Sequence, residues 1–320
     1  MKLHTIKEAF NNAILVTSNN TNIAPDFIEK DYWISLVLKR LSESKYVDSV
    51  VFKGGTSLSK GHKLINRFSE DIDVAVILTP DTSGNKVKTL IRTVEKEIAA
   101  DLIEKEVDGV TSKGSRFRKA VYKFPVVLKQ KQKAAISESI IVEINSFANP
   151  FPYHKFSIQS MIGEYLQSQN QDELVKKYDL GVFEVNVLDK EQTLIEKLVS
   201  LIRFSFSDNV FESISGKIRH FYDLYYLLND KECNNYVKSE EFINQFIKVL
   251  VHDQQQFDDP TGWKEKDFKE SPLIKDFETL WNTLKLNYTN ELSMLAYSEI
   301  PDEKEVKESF EKVIEILKIA

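Results

Sequence analysis

The sequence predicts a mixed α/β (α+β) protein, with a sheet-bearing module over residues 1–188 and a helical module over residues 189–320. Three observations predict it. Up to Leu188, short apolar runs closed by glycine or proline turns alternate with amphipathic stretches, which is how strands and helices of one mixed layer read. From Lys190 onward every periodic stretch has helical spacing. The 320 residues are also enough for two modules, because a domain commonly takes about 100 to 200 residues to bury its own core.

Residues 5–16 and 26–41 have helical spacing; Pro25 and Asp26 open the second, and Phe27, Ile34, Leu38 and Leu41 line one side of it. Val50, Val51 and Phe52 form a short apolar run ended by Gly54-Gly55, a strand entering a tight turn. Asp71 to Leu78 reads as a second strand, closed by a turn from Pro80 to Gly84. A helix is predicted over 86–107, with Val87, Leu90, Ile91, Val94, Ile98 and Leu102 as its apolar stripe. Further strands are predicted at about 117–128, 139–147 and 182–188. Helices follow near 190–205, 214–229 and 239–252, then a polar insertion at 253–270 containing Trp263, then helices near 272–287 and 302–319.

Composition excludes several classes. The chain is 42% hydrophobic and 29% charged, which is not the composition of a disordered protein. No window approaches the roughly 18 to 20 uninterrupted apolar residues that span a bilayer, and residues 1–16 lack a signal-peptide core, so a cytoplasmic location is expected. Cys233 is the single cysteine, and the five histidines have no zinc-ligand spacing. The net charge of −6 hides a segregated pattern. Residues 111–133 hold no acid and eight cations, Lys113, Arg116, Arg118, Lys119, Lys123, Lys129, Lys131 and Lys133, interleaved with Phe117, Tyr122 and Phe124. Cations and rings in one strip suit phosphates and unpaired bases; a solvated basic hairpin is the plain alternative.

Glycine is scarce, 10 residues in all, so the adjacent pair Gly54-Gly55 ahead of Thr56 and Ser57 is informative. Glycines let a backbone turn sharply and approach a phosphate closely, although a plain strand-to-helix turn has the same residues. Lys53, Lys60, Lys63 and Arg67 make the surrounding stretch, 53–69, free of acids. Asp71 and Asp73 alternate on a strand and therefore share a face, while Ile72, Val74 and Val76 turn to the core. Two carboxylates side by side repel unless a cation lies between them, and a hard ion such as Mg²⁺ takes carboxylate oxygens together with substrate phosphates. Glu143 interrupts the apolar run from Ile140 to Ile144; burying it unpaired costs several kcal/mol, so it is expected to meet solvent, a cation or a metal. With Asp71 and Asp73 on a neighbouring strand it becomes the natural third ligand of a two-metal site.

In this order the residues resemble a known family. Phe52 to Lys60, followed by Arg67-Phe68-Ser69-Glu70-Asp71-Ile72-Asp73, is similar to the first signature of the AbiEii/AbiGii nucleotidyltransferase toxins, a branch of the DNA polymerase β-like nucleotidyltransferases that includes the MenT toxins. Glu196 to Arg203 and Lys217 to Leu224 resemble the family's later signature, a lysine followed by a basic-rich helix ending in Asp-Leu. Two positions depart from it: Thr56 stands where the family has serine, and His220 where the later signature often has arginine.

The resemblance implies a polymerase β-like mixed-sheet core with a C-terminal helical domain, and a metal-dependent enzyme that transfers NMP from an NTP to an RNA acceptor, the tRNA 3′ end in some members. It implies Mg²⁺ on Asp71, Asp73 and Glu143 and an NTP on Gly54, Gly55, Thr56 and Ser57, with Lys60, Arg67 and Ser69 near the triphosphate. It further implies that Lys197 reaches the nucleotide's phosphates and that Asp223 shapes the pocket or positions the acceptor. Read without it, Arg219 and Asp223, four apart, are a surface ion pair, Lys197 is a solvated lysine, and Ile218, Phe221, Leu224, Tyr225 and Leu228 are core between helices. The family's setting implies a toxin–antitoxin operon serving phage defence, with a cognate antitoxin as partner. Two rivals stay open: the same chemistry on a small molecule, and a non-catalytic nucleotide or RNA binder.

Overall fold

The computed structural model describes residues 1–79, 82–128 and 137–319. The chain forms two compact units, one of Met1–Lys63 and Phe68–Leu188, the other of Leu64–Arg67 and Asp189–Ala320.

The first unit is built on a mixed sheet. Its strands are β1 (Val50–Lys53), β2 (Asp71–Val76), β3 (Ile103–Lys105), β4 (Ser112–Lys113), β5 (Phe117–Lys123), β6 (Ser139–Asn145), β7 (Tyr153–Ile158) and β8 (Phe183–Leu188). They run β3-β5-β6-β2-β1-β8-β7, with β4 on the flank of β5. β2 is parallel to β6 and β1 to β8; the other pairs are antiparallel. The alternation in β2 is as the sequence dictates, with Ile72, Val74 and Val76 fully buried and Asp71 and Asp73 partly open. Six helices accompany the sheet among the described residues: α1 (Lys7–Thr21), α2 (Pro25–Glu43), α3 (Gly54–Lys60), α4 (Gly84–Ile98), α5 (Met161–Ser168) and α6 (Asp172–Lys177).

Several expectations are corrected here. The helix predicted over 86–107 stops at Ile98, and residues 103–105 turn back as strand β3 beside β5. The strand predicted over 117–128 ends at Lys123, ahead of Pro125, which has no N–H to give a ladder. Strand β7 and helices α5 and α6 had no counterpart in the sequence reading. Pro80, at the start of the predicted turn, and Lys129, Lys131 and Lys133 lie outside the described residues.

The second unit is helical: α7 (Lys190–Phe204), α8 (Val210–Ser215), α9 (Arg219–Asn229), α10 (Lys231–Tyr236), α11 (Glu240–Gln256), α12 (Pro272–Lys275), α13 (Phe277–Leu295) and α14 (Glu303–Ile319). The helix predicted at 214–229 is divided at Gly216, between α8 and α9. Ile218, Phe221, Leu224 and Leu228 are buried, and Phe221 meets Phe277, Trp281 and Phe310 in an aromatic core. Trp263, in the insertion expected to be a polar loop, is also core: it is buried and its indole N–H donates to the Phe257 carbonyl at 2.8 Å. Among the described residues no helix is long and apolar enough to cross a membrane.

Candidate active site

The first group of candidate residues is gathered by the sheet register. Strand β1 ends at Lys53 and α3 begins at the next residue, Gly54, whose φ is +79°. A Cβ at Gly54 would lie 2.1 Å from Asp73 Oδ2, so glycine is required twice, for the left-handed backbone and for the approach of the carboxylate. Gly55 is buried behind it. The hydroxyls of Thr56 and Ser57 are used inside the protein: Thr56 Oγ1 donates to the Asp71 carbonyl, and Ser57 Oγ donates to the Gly54 carbonyl at 2.8 Å. They brace the bend and tie it to the start of β2.

Register then lines up four charges across four neighbouring strands. Lys53 pairs with Asp73, Asp73 with Glu143, and Glu143 with Lys119. Directly opposed residues share a face, and Asp71, two residues from Asp73, joins them there. Lys119 Nζ lies 3.3 Å from Glu143 Oε2. Burial, then Glu143 and then Asp71 push the Asp73 carboxyl up to about 8, with Lys53 and Lys119 opposing the rise only partly. Burial lowers the Lys119 ammonium, but Glu143, Asp71 and Asp73 outweigh it and leave it raised.

Among the described residues, no group of three or more His, Cys, Asp and Glu is drawn together tightly enough to enclose a metal ion. The donor chemistry nevertheless fits a hard divalent cation: the three groups are all carboxylates, two are adjacent in register, and their mutual repulsion is relieved by positive charge. Glu143 is spoken for by Lys119.

A second group lies in the helical unit. Arg67 donates from Nε and Nη2 to the two carboxylate oxygens of Asp223, at 2.7 and 2.6 Å, and Lys197 Nζ lies 2.8 Å from Asp223 Oδ2. All three are buried, Asp223 completely. Burial alone would raise the Asp223 carboxyl, but Arg67 and Lys197 hold it far below the carboxylate range. Burial, with Lys197 and Lys217 close by, lowers His220 well below the usual histidine value. The surface reading of Asp223 is therefore corrected: Arg219 pairs instead with Glu291 at 3.1 Å, and Lys197 is an internal residue.

Other candidates are placed elsewhere. Lys60 Nζ donates to Asp31 Oδ1 and, at 2.8 Å, to the Gln159 carbonyl. Ser69 is buried just ahead of β2. In the basic window, Lys113 pairs with Glu104, Arg118 with Glu95, Lys119 with Glu143 and Lys123 with Glu138, so these four cations are partly neutralised.

The sequence reading missed the charged triplet Glu29-Lys30-Asp31 on α2. All three are buried. Asp31 receives Lys60 and the Met161 N–H, Lys30 donates to Glu70 beside Asp71, and Glu29 accepts from the Val127 N–H. Burial lifts the Glu29 carboxyl to about 7. One helix thus anchors α3, the lead-in to β2 and the segment after β5. The signal was available: Phe27, Ile28, Tyr32, Trp33 and Ile34 make this stretch apolar all round, and charges inside such a helix have to be paired.

Carboxylates ranked on a mixed sheet beside a glycine bend are the equipment of phosphoryl-transfer enzymes. The family model described as "Nucleotidyl transferase AbiEii toxin, Type IV TA system" matches residues 36–315. The chain belongs to this family and is a nucleotidyltransferase toxin of a type IV toxin–antitoxin system. Membership implies an NTP substrate, a divalent metal and an antitoxin partner. Among solved structures, the chain is similar to MenT4, a nucleotidyltransferase toxin from Mycobacterium tuberculosis H37Rv, at 14% identity and a TM-score of 0.48, over 94% of this chain and 98% of that one. It is also similar to an antigenic nucleotidyltransferase-like protein from Paracoccidioides brasiliensis, at 15% identity and a TM-score of 0.28, over 71% and 94% of the two chains. No curated protein sequence matches it.

Proposed function

We propose that this toxin transfers a nucleoside monophosphate from an NTP to an RNA acceptor, the 3′ end of tRNA, with Mg²⁺ held by Asp71, Asp73 and Glu143, inside the cytoplasm and in the service of phage defence. The observation that carries the metal assignment is the register that sets Asp73 beside Glu143, with Asp71 on the same face and too little positive charge to satisfy them. Bound there, Mg²⁺ would supply charge neutralisation for the attacking hydroxyl and the leaving pyrophosphate. We place the polyphosphate at the Gly54-Gly55 bend, where glycine lets the Asp73 carboxylate lie against the backbone, since a Cβ at Gly54 would meet Asp73 Oδ2 at 2.1 Å. Thr56 and Ser57 keep that bend rigid through their bonds to Asp71 and Gly54, which favours in-line attack by fixing the carboxylates in advance. Ser69, buried two residues before Asp71, is assigned to the neighbourhood of the triphosphate. In the helical unit, Asp223 orients Arg67 and Lys197 through its two carboxylate oxygens, and we assign these two cations to a substrate phosphate.

The test incubates purified protein with total RNA, Mg²⁺ and each labelled NTP, comparing wild type with Asp71→Ala and Asp73→Ala. Label on RNA that disappears in both variants is expected; transfer that survives both overturns the metal assignment. One observation favours a second reading, transfer to a small molecule: Lys113, Arg118, Lys119 and Lys123 are ion-paired within the protein, which weakens the charge argument for RNA. Label recovered only in a low-molecular-weight product would establish it.

A further inference from the structure

Lys119 stands directly opposite Glu143 in the ladder between β5 and β6, on the face that carries Asp71 and Asp73. Its ammonium is 3.3 Å from Glu143 Oε2, both side chains are about three-quarters buried, and its charge also acts on both aspartates. An ammonium and a divalent ion compete for the same carboxylate lone pairs, because the first donates hydrogen bonds to the oxygens that the second would ligate. Among the described residues the three acids do not enclose a common point, and Glu143 is the one of them ion-paired with Lys119.

We propose that Lys119 is the resident counter-cation of the acid row: it holds Glu143 while no divalent ion is bound, yields Glu143 when the ion enters, and then lends its freed charge to the polyphosphate of the NTP. The inference rests on the assignment of Asp71, Asp73 and Glu143 as metal ligands. Lys119 is in these terms a positioning residue for Glu143. Its removal should have opposite effects on two binding events, tightening the ion and loosening the nucleotide, whereas the loss of a merely structural lysine would weaken both.

Mn²⁺ serves as the probe, titrated into nucleotide-free protein and followed by electron paramagnetic resonance. Wild type, Lys119→Met, Lys119→Arg and Asp73→Asn are compared, with melting in EDTA and KM for NTP at saturating Mn²⁺ as further readouts. Lys119→Met is expected to bind Mn²⁺ about five- to tenfold more tightly, the size of effect expected from removing one partly buried charge. The same variant should melt lower in EDTA and show a raised KM. Lys119→Arg, which keeps the charge, should retain wild-type Mn²⁺ affinity and melting. Unchanged or weaker Mn²⁺ binding by Lys119→Met overturns the inference while leaving the acid site standing, provided wild type binds and Asp73→Asn does not. Lys119→Arg behaving like Lys119→Met also overturns it. Wild type failing to bind Mn²⁺ overturns both the inference and the metal assignment beneath it.

Discussion

Asp73, partly open on β2, and Asp223, completely buried, are both pushed upward by desolvation, yet their carboxyls are displaced in opposite directions. Asp73 sits among acids with too few cations and rises to about 8; Asp223 sits between a guanidinium and an ammonium and is held far below its ordinary value. Burial works in the same sense on both, so the difference is one of company. An acid short of positive charge is a place to which something positive is drawn, whereas an acid with a surplus around it is already satisfied and serves to hold its cations in place. The two sites therefore differ in balance: the acid row on the sheet is short of positive charge, whereas Asp223 in the helical unit is matched by Arg67 and Lys197.

The contrast can be broken by substituting each aspartate with asparagine. Asp73→Asn should lower nucleotidyl transfer by about 10³-fold or more, read as labelled NTP incorporated, because a metal-binding carboxylate is lost. The same change should raise the melting temperature of the protein in EDTA by relieving like-charge repulsion. Asp223→Asn should do the reverse to stability, with a loss of about 3–5 kcal/mol in denaturant unfolding, because Arg67 and Lys197 are left buried without a counter-charge. If both variants destabilise equally, the distinction between the two sites fails.

Gly54→Ala sharpens the sheet side of the comparison. The new Cβ would meet the Asp73 carboxylate at a backbone angle that L-residues avoid, so a cost of about 1–3 kcal/mol is expected in denaturant unfolding, with the loss of transfer exceeding what that instability explains. The smallest effect is the pH dependence of the protein in EDTA. Asp73 has a folded value near 8 against 3.8 for an ordinary aspartate, so the folded state binds more protons between those limits and stability should fall as pH rises from about 4 to 8. Asp223 is displaced downward, so its contribution is present throughout that window and is lost only in stronger acid. Melting curves from pH 5 to 9 should slope downward in wild type and flatten in Asp73→Asn.

The acid row was legible in the sequence because a strand period of two makes Asp71 and Asp73 neighbours, and because Glu143 interrupts an otherwise apolar run. Its cations were not. Lys53 and Lys119 are 66 residues apart and meet the acids only through pairing register, which a single sequence does not encode locally. The basic window looked like one uninterrupted strip for the same reason, since its partners Glu95, Glu104 and Glu138 come from other segments. The helical face of Asp223 was misread because the i, i+4 rule sees only neighbours on one helix, and Arg67 arrives from far upstream. Strand β7 was missed because its residues are mostly exposed or half-exposed, so it lacks the apolar alternation that betrays a strand with one buried face.

The membership of Leu64–Arg67 bears on how the protein can be taken apart. These four residues are clustered with the helices although the chain on both sides of them is clustered with the sheet. A fragment cut at residue 189 would carry Lys197 and Asp223 but leave Arg67 behind, so truncation would strip the helical half of the guanidinium that clamps Asp223. Genetic dissection of this toxin is better done by point substitution, or by complementing two fragments, than by deleting either half.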